Sequence, residues 1–188
     1  MINKITIYDT DCLSAFVGID RTDILRELFN QIIIPEQVYR EFDRPHIQNL
    51  KLKVDELIKN KFIIKEDIEP GSEEYDIFVG FTNGYRSDKD LGKGESAAIS
   101  LAMKYNGIIA SNNLKDVKSV VKEYNLHHIT SSDILYLAFK FEIIAIDELE
   151  EIWIKMLNNG ILIPKSFLDY TEKLDQEKEE WLFTLFEK

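Results

Sequence analysis

The chain has 188 residues, of which 45% are apolar and 11% aromatic, enough to bury one sizeable core and too few for two full domains. Its formal charge of −11 speaks against a protein that coats nucleic acid with a broad basic surface, but it leaves room for a local acidic pocket that gathers cations. The single cysteine, Cys12, excludes an intramolecular disulfide, and no Cys/His cluster has zinc spacing, so a reducing cytoplasm is the expected setting.

The first residues hold one basic side chain ahead of a short apolar stretch broken by Asp9 and Asp11, which does not read as a signal peptide. No run approaches the roughly 18 apolar residues of a membrane span. Lys4 to Tyr8 is rich in β-formers and reads as a strand ending at Asp9, with a helix soon after. A short helix is expected from about Thr22 to Asn30, with Thr22 available as its cap. Ile32-Ile33-Ile34 is a brief buried strand, and Pro35 suits the first turn of a helix that carries Glu41 near its end and stops at Pro45. Apolar spacing predicts a further helix over 47–60, a strand at Phe62-Ile63-Ile64 and a weaker helix over 71–82. A polar loop, 83–90, leads to Gly92-Lys93-Gly94.

Glu95 to Tyr105 is a helix whose small residues permit close packing on a sheet, with Glu95 in the first turn and Asn106-Gly107 as its stop. Ile108 to Ser111 is a strand closing at Asn112-Asn113. Leu114 to Tyr124 is a helix containing Asp116, His127-His128-Ile129 an edge strand, and Ser131 or Ser132 the cap of a helix over 133–141. Strands alternating with helices imply an α/β fold, a three-layer α/β/α arrangement around a central parallel sheet, with ligands bound beyond the carboxyl ends of the strands. Residues 1–145 would form this domain and 146–188 a helical extension. Its charged tail, 173–188, carries Leu174, Trp181, Leu182, Leu185 and Phe186 and is either docked on the domain or free to bind a partner.

Three segments together resemble a known family. Tyr8-Asp9-Thr10-Asp11-Cys12-Leu13 is similar to the opening strand motif of PIN domains, Ile34-Pro35-Glu36-Gln37-Val38-Tyr39-Arg40-Glu41-Phe42 to their second motif, and Gly94-Glu95 with its small-residue helix to the third. The resemblance covers about residues 5–145 in order and spacing. It implies a PIN-like nuclease, a ribonuclease more often than a DNase, that uses Mg²⁺ or Mn²⁺ held by clustered carboxylates. It also implies an antitoxin partner where the relative is a toxin, and a homodimer. Carried onto this sequence, the catalytic residues would be Asp9, Glu41, Glu95 and Asp116, with Asp9, Glu95 and Asp116 on the metal. Hard divalent cations prefer such oxygen ligands, and lower the pKa of a bound water for attack on phosphorus.

The sequence departs from the family in the fourth motif, where Ser111-Asn112-Asn113 ends in an asparagine instead of the usual aspartate. Asp116, three residues on, or Asp11, two residues from Asp9, are the available substitutes. Each carboxylate also has a plainer reading: Asp9 as a turn or cap residue, Glu41 as a solvated helix residue, Glu95 and Asp116 as first-turn acids favoured by the helix dipole. Asn113, Lys93 and Lys89 are candidates for contact with nucleic-acid phosphate, or are ordinary surface polar groups. His127 and His128, adjacent in a strand, point to opposite faces and cannot easily share a metal. Gly92-Lys93-Gly94-Glu95-Ser96 lacks the spacing of a phosphate-binding loop. Two functions follow: a metal-dependent endoribonuclease, or a degenerate PIN domain that binds nucleic acid or protein without cutting.

Overall fold

Three apolar residues or so between polar boundaries are all that each strand needs when both faces of a sheet are covered. The computed structural model describes residues 1–87 and 90–186, with the backbone alone for His46 and residues 114–117. Among these, β1 (Thr6–Tyr8), β2 (Ile32–Pro35), β3 (Ile63–Glu66), β4 (Ile108–Ala110) and β5 (His127–Ile129) form one parallel sheet in the order β3-β2-β1-β4-β5. Ile7 pairs with Ile33 on one side and with Ile109 on the other, which puts β1 at the centre. The edge position expected for His127 to Ile129 is the one observed.

The helices are α1 (Thr10–Val17), α2 (Thr22–Leu28), α3 (Glu36–Glu41), α4 (Gln48–Lys59), α5 (Glu73–Thr82), α6 (Lys93–Tyr105), α7 (Leu114–Glu123) and α8 (Ser131–Lys140). They are followed by α9 (Ile146–Asn158), α10 (Phe167–Thr171) and α11 (Gln176–Thr184). Strand alternation sorts the core into two layers. Tyr8, Ile32, Ile34, Ile108 and Ile129 enter one, with Phe16, Leu25, Val38, Leu137 and Trp153 from the helices; Ile7 and Ile109 enter the other, against Phe81, Ala97, Leu101 and Val120. The result is the three-layer α/β/α arrangement with C-terminal helices packed onto its first layer.

Several local readings are corrected. Thr22 is the first residue of α2, not its cap; Arg21 holds the cap position without a side-chain bond, and the helix ends at Leu28. Pro35 is the last residue of β2 and the cap of α3, so the proline lies just outside the helix it introduces. The cap of α8 is neither Ser131 nor Ser132 but Thr130, whose hydroxyl accepts from Asp133 N at 3.2 Å while Asp133 Oδ2 accepts from Thr130 N at 2.6 Å. Asn106, in the left-handed conformation at φ 46°, makes the sharp exit from α6 ahead of Gly107.

The C-terminal segment docks through side chains the pattern had marked as apolar. Leu149, Ile152, Trp153 and Met156 of α9, Tyr170 of α10 and Leu182 of α11 are buried. Asp133, with no exposed surface, ties this segment down: it accepts from Tyr170 Oη at 2.7 Å and pairs with Lys178 Nζ at 2.7 Å.

Candidate active site

Parallel strands deliver their last residues to one end of the sheet, and β1 and β4, being adjacent, bring Asp9 and Ser111 together there. Asp9 N still donates to Ala110 O at 2.9 Å, so the ladder holds its backbone while its side chain caps α1: Oδ1 accepts from Thr10 N at 2.8 Å and Oδ2 from the Ser111 hydroxyl at 3.3 Å. The cap reading and the site reading of Asp9 are thus compatible.

Glu41 is the last residue of α3. Its Oε2 accepts from the Thr10 hydroxyl at 2.9 Å, and Arg44 stands 3.8 Å away. Glu95, at the third position of α6, accepts from Gly92 N at 3.1 Å through Oε2 and from the Asn113 amide through Oε1. Between these two acids lies Gly94: a Cβ there would run into Glu41 Oε1 and lie 3.4 Å from Asp9 Oδ1, so the missing side chain lets the start of α6 approach both carboxylates.

The acids sense one another. Burial, then the negative charge of Asp11, then those of Glu95 and Glu41 push the Asp9 carboxyl up to about 8, against a lowering by the Thr10 N–H. Burial likewise raises Asp11, opposed by the Asn112 and Cys12 N–H groups. None of the leading influences on Asp9 comes from a basic side chain.

The expected residues therefore fall in three groups. Asp9, Glu41 and Glu95 come to one end of the sheet, and Asp11 joins them while accepting from Asn112 N at 3.0 and 3.2 Å. Asn113 reaches Glu95 through its side chain, and Lys93 opens α6 as an exposed residue. Asp116 lies in the first turn of α7, but its side chain is outside the described residues, as is all of Lys89. Sequence reasoning passed over Thr10, Ser111 and Asn112. Thr10 and Ser111 orient Glu41 and Asp9, and Asn112 locks Asp11 to the start of α8 through Ser131, whose N–H donates to Asn112 Oδ1 at 2.8 Å. Nothing adjacent in the sequence links Ser111 or Asn112 to an acid, and Thr10, though it lies between Asp9 and Asp11, meets the distant Glu41. The two histidines diverge as expected: His127 stacks on Trp181, while the His128 ring meets Ser111 O at 2.8 Å.

The DUF3368 family model, a PIN domain, matches residues 5–177. The chain belongs to the PIN-domain family. Members of this family are generally nucleases, and such nucleases generally use divalent metals. A solved structure of VapBC-1 from nontypeable Haemophilus influenzae is similar at 15% identity with a TM-score of 0.47, covering 68% of this chain and 98% of that one. No curated protein matches the chain. No helix among the described residues is long and apolar enough to cross a membrane.

Whether this PIN domain suits a divalent cation is answered first by donor chemistry: the acids supply oxygen only, and crowding that keeps a proton on Asp9 is what a hard cation relieves. As placed, no group of three or more His, Cys, Asp or Glu side chains among the described residues is arranged to hold a metal ion. The oxygen donors of Asp9, Glu41 and Glu95 are of the type such an ion takes.

Proposed function

We propose that this PIN domain is a metal-dependent endoribonuclease with Asp9, Glu41, Glu95 and Asp116 as its catalytic residues. The observation that carries the reading is the buried Asp9 carboxyl at the end of the central strand, raised to about 8 by burial and by three neighbouring acids without a leading basic partner. Asp9, Glu95 and Asp116 would hold Mg²⁺ or Mn²⁺, which when bound supplies a lowered water pKa and offsets phosphate charge. Glu41 would accept the proton of the attacking water, a role supported by its neighbours: Thr10 donates to its Oε2, and its Oε1 lies against Gly94 beside Asp9. Ser111 keeps Asp9 turned into the site, and the Asn113 amide does the same for Glu95. Asn113, Lys93 and Lys89 would meet substrate phosphate. Cytoplasmic RNA is the substrate of this reading. An antitoxin partner and a homodimer rest on family membership alone.

The test is cleavage of single-stranded and structured RNAs by the purified chain with Mn²⁺, and its loss in Asp9→Ala. No cleavage by well-folded wild type would sink the proposal. A second reading has its own observation: Asn113 stands where the family places an aspartate and gives Glu95 an amide hydrogen bond in place of a further negative charge. A degenerate, non-cutting domain would bind no Mn²⁺ tightly by calorimetry, and Asp9→Ala would leave its biological effect unchanged.

A further inference from the structure

Helix α9 has two apolar faces. Leu149, Ile152 and Met156 are buried in the core, while Ile146 and Ile154, about two turns apart, stand 42% and 58% exposed on the neighbouring face. Leu168 of α10, 65% exposed, lines the same groove, whose floor is the buried Trp153 and the half-buried Phe167. The groove between the two helices has a volume of about 500 Å³. Single exposed apolar residues need no explanation, but three large ones set over two rings make a continuous patch, which marks an interaction surface.

The rim of this groove is acidic. Glu150 lines it between Ile146 and Ile154, Asp147 and Glu151 follow on the solvent side of α9, and Glu172 comes one turn after Leu168. All four acids are exposed, and none is in an ion pair among the described residues. Lys165, also on the lining, offsets one of them and leaves the rim with an excess of negative charge. The imbalance extends beyond the groove: residues 146–188 hold 11 Asp and Glu against 5 Lys, and so contribute −6 of the formal charge of −11.

This charge selects the occupant. A second copy of the chain would set two acidic rims against each other in a symmetric contact, and anionic lipid headgroups would meet the same repulsion. We propose that the groove between α9 and α10 is the docking site for a basic amphipathic helix of a partner protein. The eight residues from Ile146 to Ile154 span about 12 Å, the length of two turns of such a helix. Its apolar side chains at i, i+3 or i+4, and i+7 enter over Trp153 and Phe167, and lysines or arginines on its flanks meet Glu150, Glu151 and Glu172. The inference stands apart from the nuclease reading, since none of these residues belongs to the carboxylate site.

The experiment measures, by anisotropy, binding of a fluorescein-labelled peptide of about 15 Leu and Lys residues with the leucines on one helical face. Two further peptides serve as comparisons, one with Glu in place of Lys and one with the Leu/Lys order scrambled. The expected result is binding of the first peptide alone, weakened roughly tenfold by Ile154→Glu and by Leu168→Glu. Glu151→Lys weakens it about threefold and flattens its salt dependence. Leu52→Glu adds the same charge at a 69% exposed position of α4 and leaves affinity unchanged. All of these changes fall on exposed side chains, so the fold is spared. No binding by wild type, equal binding of either comparison peptide, wild-type affinity in both Ile154→Glu and Leu168→Glu, or equal weakening by Leu52→Glu would each overturn the proposal. So would a dimer in sedimentation velocity that Ile154→Glu dissociates, or binding to phosphatidylserine vesicles that Leu168→Glu abolishes, since either gives the groove to another occupant.

Discussion

Asp9 is buried, capped and crowded at once, and this combination has a pH signature. Its folded pKa of about 8 lies above the ordinary carboxylate value near 4, so between these limits the folded state holds a proton that the unfolded state has lost. Without divalent cation, the contribution of Asp9 to stability is therefore complete below about pH 4 and falls as pH rises toward 8. Asp9→Asn removes the conflict. It should raise metal-free stability at pH 8 by on the order of 1–3 kcal/mol and flatten the profile, read as denaturation midpoints, while ending cleavage. An Asp9→Asn variant less stable than wild type at pH 8 would contradict the crowding. Asp9, Glu41 and Glu95 were legible in the sequence because each stands at the boundary of an element. Thr10 and Ser111 were not, because their hydroxyls act on partners 31 and 102 residues away, and a single sequence carries no sign of which distant acid a hydroxyl will meet.

At the scale of elements, apolar runs and their punctuation placed all five strands and the parallel order of strand and helix, since a three-residue strand buried on both faces announces itself by composition. What they did not place was the start of α8. Thr130, Ser131 and Ser132 are all competent caps, and the choice depends on where β5 ends, at Ile129, a property of the ladder with β4. That ladder also aims His128 at Ser111 O, and burial, aided by Lys178, lowers its pKa to about 4 from the ordinary 6.5. Here the sign is opposite to that of Asp9: the unfolded state takes up the proton first, so the contribution is complete above pH 6.5 and is lost as pH falls toward 4. The loss amounts to on the order of 3 kcal/mol. His128→Gln, which keeps a donor for Ser111 O, should therefore be less sensitive to acid in urea unfolding between pH 6.5 and 4. An unchanged acid limb would show that His128 titrates as a solvated ring.

For the whole molecule, the question the sequence left open was the role of residues 146–188. Docked or free is decided by whether apolar positions find a surface, and Leu149, Ile152, Trp153, Met156, Tyr170 and Leu182 all do. Each is worth roughly 1.5–3 kcal/mol of burial, so together they are comparable to the entire stability of about 5–15 kcal/mol expected for a domain. We predict that residues 1–145 alone do not hold a native core, seen as loss of near-ultraviolet dichroism and of a cooperative melt. A cooperative transition within a few degrees of the full chain would show that the extension is dispensable.

The contact of Trp181 with His127, rings parallel within 5° at 5.0 Å, ties α11 to the outermost strand of the sheet. A chain clipped by a protease ahead of α11 would leave β5 as an uncovered rim, and such rims recruit strands from other copies. Wear at the tail would then first be visible as turbidity and filament formation, a fate of the population of molecules rather than of any one site.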